Sequence, residues 1–286
     1  MEERPATLEK LREEMDALAG EVAGTVAYCV IHPASGARVE RNATARFVAA
    51  SVIKVPILME CFRQATHEGL DFNEVIPLKD GVKVGGSGVL KVLHEGLNVT
   101  ISDLAMLMTV VSDNTATNIL LERIGVEKVN AFLKERGCTV TECRRKLYDW
   151  EAMKQGIHNH IAAGEIADLL AAAAAGRLIS PQSDADMLTV MKKQQYREKI
   201  PHLLPKGAVT ANKTGSLDEV SHDCGVVTLP NGDWFALALL SGDLKGCEDG
   251  PGRDAVNATL ARMSLACYRY AEAHPPDGYL TTEDAG

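Results

Sequence analysis

GVVTLPNGDWFALALL, residues 225–240, decides the fold of this chain. Two β-rich apolar runs, Gly225 to Leu229 and Trp234 to Leu240, flank Asn231-Gly232, a dipeptide suited to the turn of a β-hairpin. A third strand candidate, Val209 to Lys213, precedes them. More strand signal lies at the other end of the chain. Gly24 to Ile31 (GTVAYCVI) is β-rich, the turn His32-Pro33-Ala34-Ser35-Gly36 follows, and a short strand near Ala37 to Glu40 completes a second hairpin. Ahead of it, Leu8, Leu11, Met15 and Leu18 have the spacing of an amphipathic helix over residues 6–19, ended by Gly20. A long helix over 252–274 follows the last strand, and residues from Pro275 read as a tail.

Between the β-rich ends the pattern is helical, from about residue 50 to 195. Helices are expected over 51–66, 100–111, 114–124, 126–136, 162–175 and 183–193, the second opened by the capping signal Thr100-Ile101-Ser102-Asp103. Two irregular stretches, 71–98 and 137–160, interrupt them, and loops of that length in a compact domain are often functional. The order predicts an α+β fold. The terminal segments, 1–45 and 200–286, form one antiparallel sheet flanked by helices. Residues 46–199 form an inserted all-α domain, and the cleft between the two is the natural place for an active site.

Composition narrows the function. The 286 residues are 46% hydrophobic and 24% charged, as in ordinary soluble globular chains. A net charge of −9 offers phosphate backbones no general attraction, so nucleic acid is not an expected partner. Lys192-Lys193 and Arg144-Arg145-Lys146 read as solvated faces. Seven cysteines at scattered spacings, an odd count without a CxxC pair, argue for reduced thiols rather than a disulfide framework or a cysteine metal site. Whether Cys138 and Cys143 pair is left open. No stretch is apolar for long enough to span a membrane. Met1-Glu2-Glu3-Arg4-Pro5 is not a signal peptide, so the chain is expected to be cytoplasmic or a trimmed form of an exported protein. A monomer acting on a small molecule, without cofactor or metal, is expected.

Three short motifs carry chemistry. Ser51-Val52-Ile53-Lys54 stands at the start of a predicted helix, where residues i and i+3 share a face. A serine becomes a nucleophile when a neighbour takes its proton, and a lysine in apolar surroundings can do so. Val52, Ile53, Val55, Ile57 and Leu58 supply those surroundings. Ser112-Asp113-Asn114 falls at a break between two helices. Its Ser offers a proton-relaying hydroxyl, its Asn an amide for both a substrate carbonyl and a lysine, and its Asp a turn brace. Lys213-Thr214-Gly215 ends a predicted strand. Its Lys and Thr can hold a carboxylate, its Gly admits a ligand to the backbone, and the N–H of Ser216 is a candidate oxyanion donor. Ser-x-x-Lys alone arises by chance about once in a chain this long, and the other two triplets in only a few per cent of such chains.

Together, in this order, the motifs resemble the class A β-lactamase and penicillin-binding serine hydrolase family, for which the triple is an established signature. The resemblance covers roughly residues 20–270 and includes Phe47, Gly86-Ser87-Gly88-Val89-Leu90 and Asn118. It implies that Ser51 is acylated, that Lys54 shares in proton transfer and that Ser112 relays a proton to the leaving nitrogen. Asn114 orients the substrate, Lys213 and Thr214 bind its carboxylate, Gly215 lets it approach, and the N–H groups of Ser51 and Ser216 form the oxyanion hole. Class A enzymes also use a loop glutamate to activate the deacylating water. Glu151, after Trp150, is the candidate here, although Ala152-Met153-Lys154-Gln155-Gly156 departs from the family's Pro-Glu-Leu-Asn and the loop is several residues short. Arg144 or Arg145 is the candidate pin for that loop. The expected activity is opening of β-lactam rings through an acyl-serine. The alternatives are a DD-peptidase, esterase or amidase of the same fold, and an acylated penicillin sensor. His222-Asp223 formally permits a Ser-His-Asp arrangement, but Lys54 at i+3 is the better-placed base. His158-Asn159-His160 lacks the further ligands a metal requires.

Overall fold

The structure, a computed structural model, describes residues 7–247 and 250–276. In chain order it contains helix α1 (Leu8–Gly20), strands β1 (Thr25–His32), β2 (Ala37–Arg41) and β3 (Phe47–Val48), then helix α2 (Lys54–His67). Short strands β4 (Val75–Pro77) and β5 (Asn98–Thr100) precede helices α3 (Ile101–Val110), α4 (Asn114–Ile124), α5 (Val126–Glu135) and the single turn α6 (Trp150–Lys154). Strand β6 (His160–Ile161) leads to α7 (Ala163–Ala174) and α8 (Pro181–Met191). The chain then returns to strands β7 (Val209–Leu217), β8 (Val220–Thr228) and β9 (Trp234–Gly242) before the long helix α9 (Gly250–Ala273). The expected tail falls largely outside the described residues, as does residue 6, the first of the expected N-terminal helix.

The main sheet is antiparallel with strand order β2-β1-β9-β8-β7, so the N-terminal hairpin joins the last strand of the sequence. Val26 pairs with Ser241 and Tyr28 with Leu239. Alternation along a strand assigns the faces. Tyr28, Val30, Phe235, Leu237 and Leu239 are buried with Leu11 and Met15 of α1 and Leu260 and Met263 of α9. Ala27, Cys29, Ala236, Ala238 and Leu240 belong to a second core with Ile166, Ala167 and Leu170 of α7 and the helices beyond it. Both faces are covered, which is why β9 reads as an almost unbroken apolar run. The small residues on the α7 side let the alanine-rich helix lie close to the sheet.

Local signals set most element ends. Thr100 and Asp103 make the reciprocal capping box of α3. Ser180 caps α8, with Pro181 in its first turn. The β8–β9 hairpin differs from the tight turn expected. Leu229 N–H donates to Asp233 O at 2.7 Å, which leaves the three-residue loop Pro230-Asn231-Gly232, with Gly232 left-handed at φ +86°. Strands β7 and β8 also run further than the sequence suggested. The added residues, Ser221, His222 and Asp223 among them, are polar yet fully buried and hydrogen-bonded inside the sheet. Lys213-Thr214-Gly215 therefore lies within β7 rather than at its end. All seven cysteines are free, Cys138 and Cys143 included.

Candidate active site

Ser51 is not the first residue of an α-helix. It is the second residue of a 3-10 turn, Ala50–Ile53, that runs into α2 at Lys54. In 3-10 geometry residues i and i+3 eclipse, which sets the Ser51 and Lys54 side chains over one another more directly than an α-helix does. Ala50 enters the turn at φ +44°, a strained conformation for a residue with a Cβ. The turn is held from behind, where Ala49 N–H donates to Asn159 O at 2.8 Å.

Lys54 is buried at 1% exposure, and its Nζ is the hub of the site. It lies 3.2 Å from Ser51 Oγ, 2.9 Å from Ser112 Oγ, 2.7 Å from Ser112 O and 2.7 Å from Asn114 Oδ1. The expected reach to both Ser51 and Asn114 is thus present. Burial, reinforced by the neighbouring Lys213 ammonium, pushes the Lys54 amine well below the ordinary lysine value. The shift favours the neutral amine, the form whose lone pair can accept the serine proton.

The second motif reaches Lys54 from the break between α3 and α4. Ser112 is left-handed, at φ +55°. The Asp113 carboxylate caps α4 through Ala116 N–H at 2.9 Å and accepts from Val89 N–H at 2.6 Å and Leu90 N–H at 2.8 Å. It is a brace, as expected, and it binds the glycine-rich 85–90 stretch to the motif. Asn114 completes that link by donating from Nδ2 to Gly85 O. Asn118, one helical turn on, exchanges hydrogen bonds with the backbone of Leu147 and so ties α4 to the 137–160 loop.

The third motif closes the site from the sheet edge. Lys213 Nζ lies 3.1 Å from Ser112 Oγ and donates to Thr214 O at 2.7 Å. Two amines therefore converge on one hydroxyl, an arrangement that leaves the hydroxyl hydrogen of Ser112 free for a third partner. Burial lowers the Lys213 pKa to about 7, against the pull of Asp223. Gly215 is needed for proximity, because a Cβ there would lie 3.0 Å from Ser51 N and 3.2 Å from Ala50 Cβ.

Behind the strand sits a buried group that sequence reading missed. Lys199 Nζ donates to Ser216 Oγ at 2.9 Å, His222 O at 3.0 Å and Gly215 O at 3.3 Å. Burial brings its pKa down to about 8 and raises that of Asp223 to about 6. Asp223 accepts from Asn212 Nδ2 and Ile200 N–H. His222 donates from Nε2 to Val48 O and accepts at Nδ1 from Ser241 N–H, and burial lowers its pKa to about 4. Both ring nitrogens are thus committed to backbone groups, and His222 is no base for Ser51. No sequence signal marks Lys199 as buried, since it follows Glu198 in a loop with no periodicity.

Glu151 is the sequence candidate that the structure does not bring to Ser51. Its carboxylate is 80% exposed and pairs with Lys154 one turn along α6, at 2.9 Å. The flanking Trp150, itself 58% exposed, and Met153 border the site instead. With Val48, Leu147, Tyr148 and Leu217 they line an apolar cavity of about 260 Å³ that opens on Ser51, and no carboxylate is among its lining residues. The loop is pinned by Arg145, which donates to Ile157 O and Lys146 O rather than to a carboxylate. Asn159 accepts from the N–H groups of Arg144 and Arg145. A second cavity, of about 280 Å³, lies on the other side of Ser51 and is lined by Ser87, Ser112, Tyr196, Glu198 and Thr214. His160 pairs with Glu142 at 3.1 Å, and no described cluster of His, Cys, Asp or Glu has the makings of a metal site.

Comparison with known proteins shows the family and the fold. The family model described as "Beta-lactamase enzyme family" matches residues 10–271. A β-lactamase regulatory protein, BlaB, from Streptomyces cacaoi is 25% identical over 259 residues, covering 74% of this chain and 83% of that one. The structure of a β-lactamase from Sphaerobacter thermophilus superposes with a TM-score of 0.83 at 29% identity, covering 94% of this chain and all of that one (100%). A mutant of PBP-A, solved as its acyl-enzyme complex with penicillin G, superposes with a TM-score of 0.82 at 26% identity, covering 94% and 99% of the two chains.

Proposed function

The chain belongs to the beta-lactamase enzyme family, and on that premise we propose that it opens β-lactam rings by acylation of Ser51 and releases the acyl group slowly. The observation that carries the first half is the convergence of Ser51, Ser112 and Asn114 on the buried amine of Lys54. Neutral Lys54 takes the Ser51 proton as Oγ attacks the lactam carbonyl. The backbone N–H groups of Ser51 and Ser216 stabilise the oxyanion. The C–N bond then breaks, and Ser112 passes its proton to the leaving nitrogen, drawing on Lys54 or Lys213 to replace it. Lys213 and Thr214 hold the substrate carboxylate, and Asn114 orients the acyl amide. The ester that results points its acyl side chain into the cavity walled by Tyr148, Trp150 and Met153.

The second half rests on what lines that cavity. Hydrolysis of the ester needs a group to deprotonate water, and a positioned base is worth about 10²–10⁴ in rate. None of the carboxylates on the 137–160 loop lines that cavity, and Glu151 is ion-paired in solvent. With a chromogenic cephalosporin the expected course is a burst of about one equivalent per protein, followed by turnover slower than the burst by about that factor. Linear turnover with no burst, at a rate matching acylation, would reject the slow-release half. A second reading, an acylated sensor, is favoured by the same long-lived ester and by the regulatory role in the name of the Streptomyces cacaoi relative.

The lysines predict a pH profile. With a pKa of about 7, Lys213 is cationic below that pH and attracts a carboxylate, and the attraction fades as pH rises through it. The second-order rate of acylation by benzylpenicillin should therefore fall between pH 7 and 9. An uncharged acyl ester should show no such decline over the same range. A rate for benzylpenicillin that climbs steadily to pH 9 would contradict the assignment of Lys213 as the carboxylate's partner.

A further inference from the structure

The polar cavity beside Ser51 contains a charge that acylation does not use. Glu198 is exposed on its rim and has no hydrogen-bond or salt-bridge partner among the described residues. The two nearby lysines do not neutralise it, although it supports the charge of both. Lys199 spends its contacts on Ser216, Gly215 and His222, and Lys213 spends its own on Ser112 and Thr214. Tyr196 lines the same cavity, at 38% exposure, its hydroxyl 3.3 Å from Val111 O. Among the described residues the exposed large aromatic side chains are Tyr148, Trp150 and Tyr196, and all three border Ser51.

A free carboxylate beside an aromatic ring is complementary to a cation. Lys213, buried behind the lining residues Ser112 and Thr214 and hydrogen-bonded to both, is complementary to an anion. This side of Ser51, where Ser112 also lies, receives the part of the substrate attached to the leaving nitrogen. An ordinary penicillin brings only a carboxylate there and meets Glu198 as a like charge.

We propose that Glu198 and Tyr196 select acyl compounds whose leaving side carries a cationic amine as well as a carboxylate, a zwitterion of the kind a diamino-acid residue presents. The inference rests on Ser51 being the acylated nucleophile. The bond broken is the same acyl C–N bond, and the recognition adds no chemical step.

The test compares two cephalosporins that share a 7-thienylacetamido group. One carries a pyridinium-methyl substituent at C3 and the other an acetoxymethyl. Acylation of Ser51 is followed by intact mass at pH 6, where Lys213 is charged, for the unaltered protein and for Glu198→Gln, Glu198→Lys and Tyr196→Leu. Because intrinsic reactivity cancels, the readout is the pyridinium-to-acetoxy rate ratio of each protein. The ratio is expected to fall about fivefold in Glu198→Gln and further in Glu198→Lys, for charges several ångströms apart at a wet rim. It should fall about threefold in Tyr196→Leu, and the Glu198 effect should shrink at about 0.5 M salt. A ratio unchanged within about twofold in both Glu198 variants, while both compounds still acylate Ser51, overturns the inference alone. If neither compound acylates Ser51 in the unaltered protein, the reading of Ser51 itself fails.

Discussion

Replacing Lys54 by Met is expected to slow acylation of Ser51 by about 10³–10⁴-fold. Met matches the length and apolar stem of the lysine in a site that is 1% exposed, so the fold has a suitable occupant. What is lost is the one amine, among the described residues, within hydrogen-bond reach of Ser51 Oγ. Lys54→Arg separates base from charge. Arginine keeps a positive charge beside Ser112 and Asn114 but does not give up its proton. If Lys54 acts as a base, the Arg variant is as slow as the Met variant. If it acts as a cation, Arg restores part of the rate. A fall of less than about tenfold in the Met variant, measured as the second-order rate of adduct formation, would show that Ser51 is activated by another group.

The largest effect on stability is expected at Asp113. Its carboxylate accepts three backbone N–H groups, from Val89, Leu90 and Ala116, at 1% exposure. Asp113→Ala leaves these donors without partners and should cost about 3 kcal/mol. The shift in the denaturant midpoint, with m unchanged, measures it. Asp113→Asn should also destabilise, because its NH₂ must face N–H donors on one side. The loss is expected to reach the chemistry too. Releasing Val89 and Leu90 frees the 85–90 stretch on which Asn114 leans through Gly85 O. A cost below about 1 kcal/mol would mean that water or a local rearrangement replaces the brace.

The parts of this site that short motifs encode were legible in the sequence. Ser51, Lys54, Ser112, Asn114 and Lys213 meet as their order and spacing suggested, although Lys213 lies inside β7 and not at the strand end expected. The capping box at Thr100 and the Ser112-Asp113-Asn114 break behaved as expected. The α+β class followed from strand signals at the two ends, and one sheet indeed joins them. What stayed hidden depends on distant contacts. The 3-10 turn at Ser51 is fixed by Asn159 behind it and by β7 passing at glycine distance. The extension of β7 and β8 relies on burying Ser221, His222 and Asp223, residues whose propensities argue against a strand interior. Glu151 sits one residue after Trp150, as the resemblance suggested. Yet a short helical turn sets Trp150 and Met153 along the cavity and leaves Glu151 paired with Lys154 in solvent, a choice that the pattern WEAMK does not encode. Lys199 is buried by long-range contacts to the backbone of β7 and β8.

The central claim is that Ser51 is acylated through Lys54 and that the ester then persists. The most direct measurement is intact-mass spectrometry after mixing with benzylpenicillin and removing the excess, with digestion to locate the adduct over time. A single adduct on Ser51 is expected, one that outlasts its own formation by a factor of about 10²–10⁴ and is absent from Ser51→Ala. An adduct that survives in Ser51→Ala, or no adduct and no loss of benzylpenicillin, would contradict the claim.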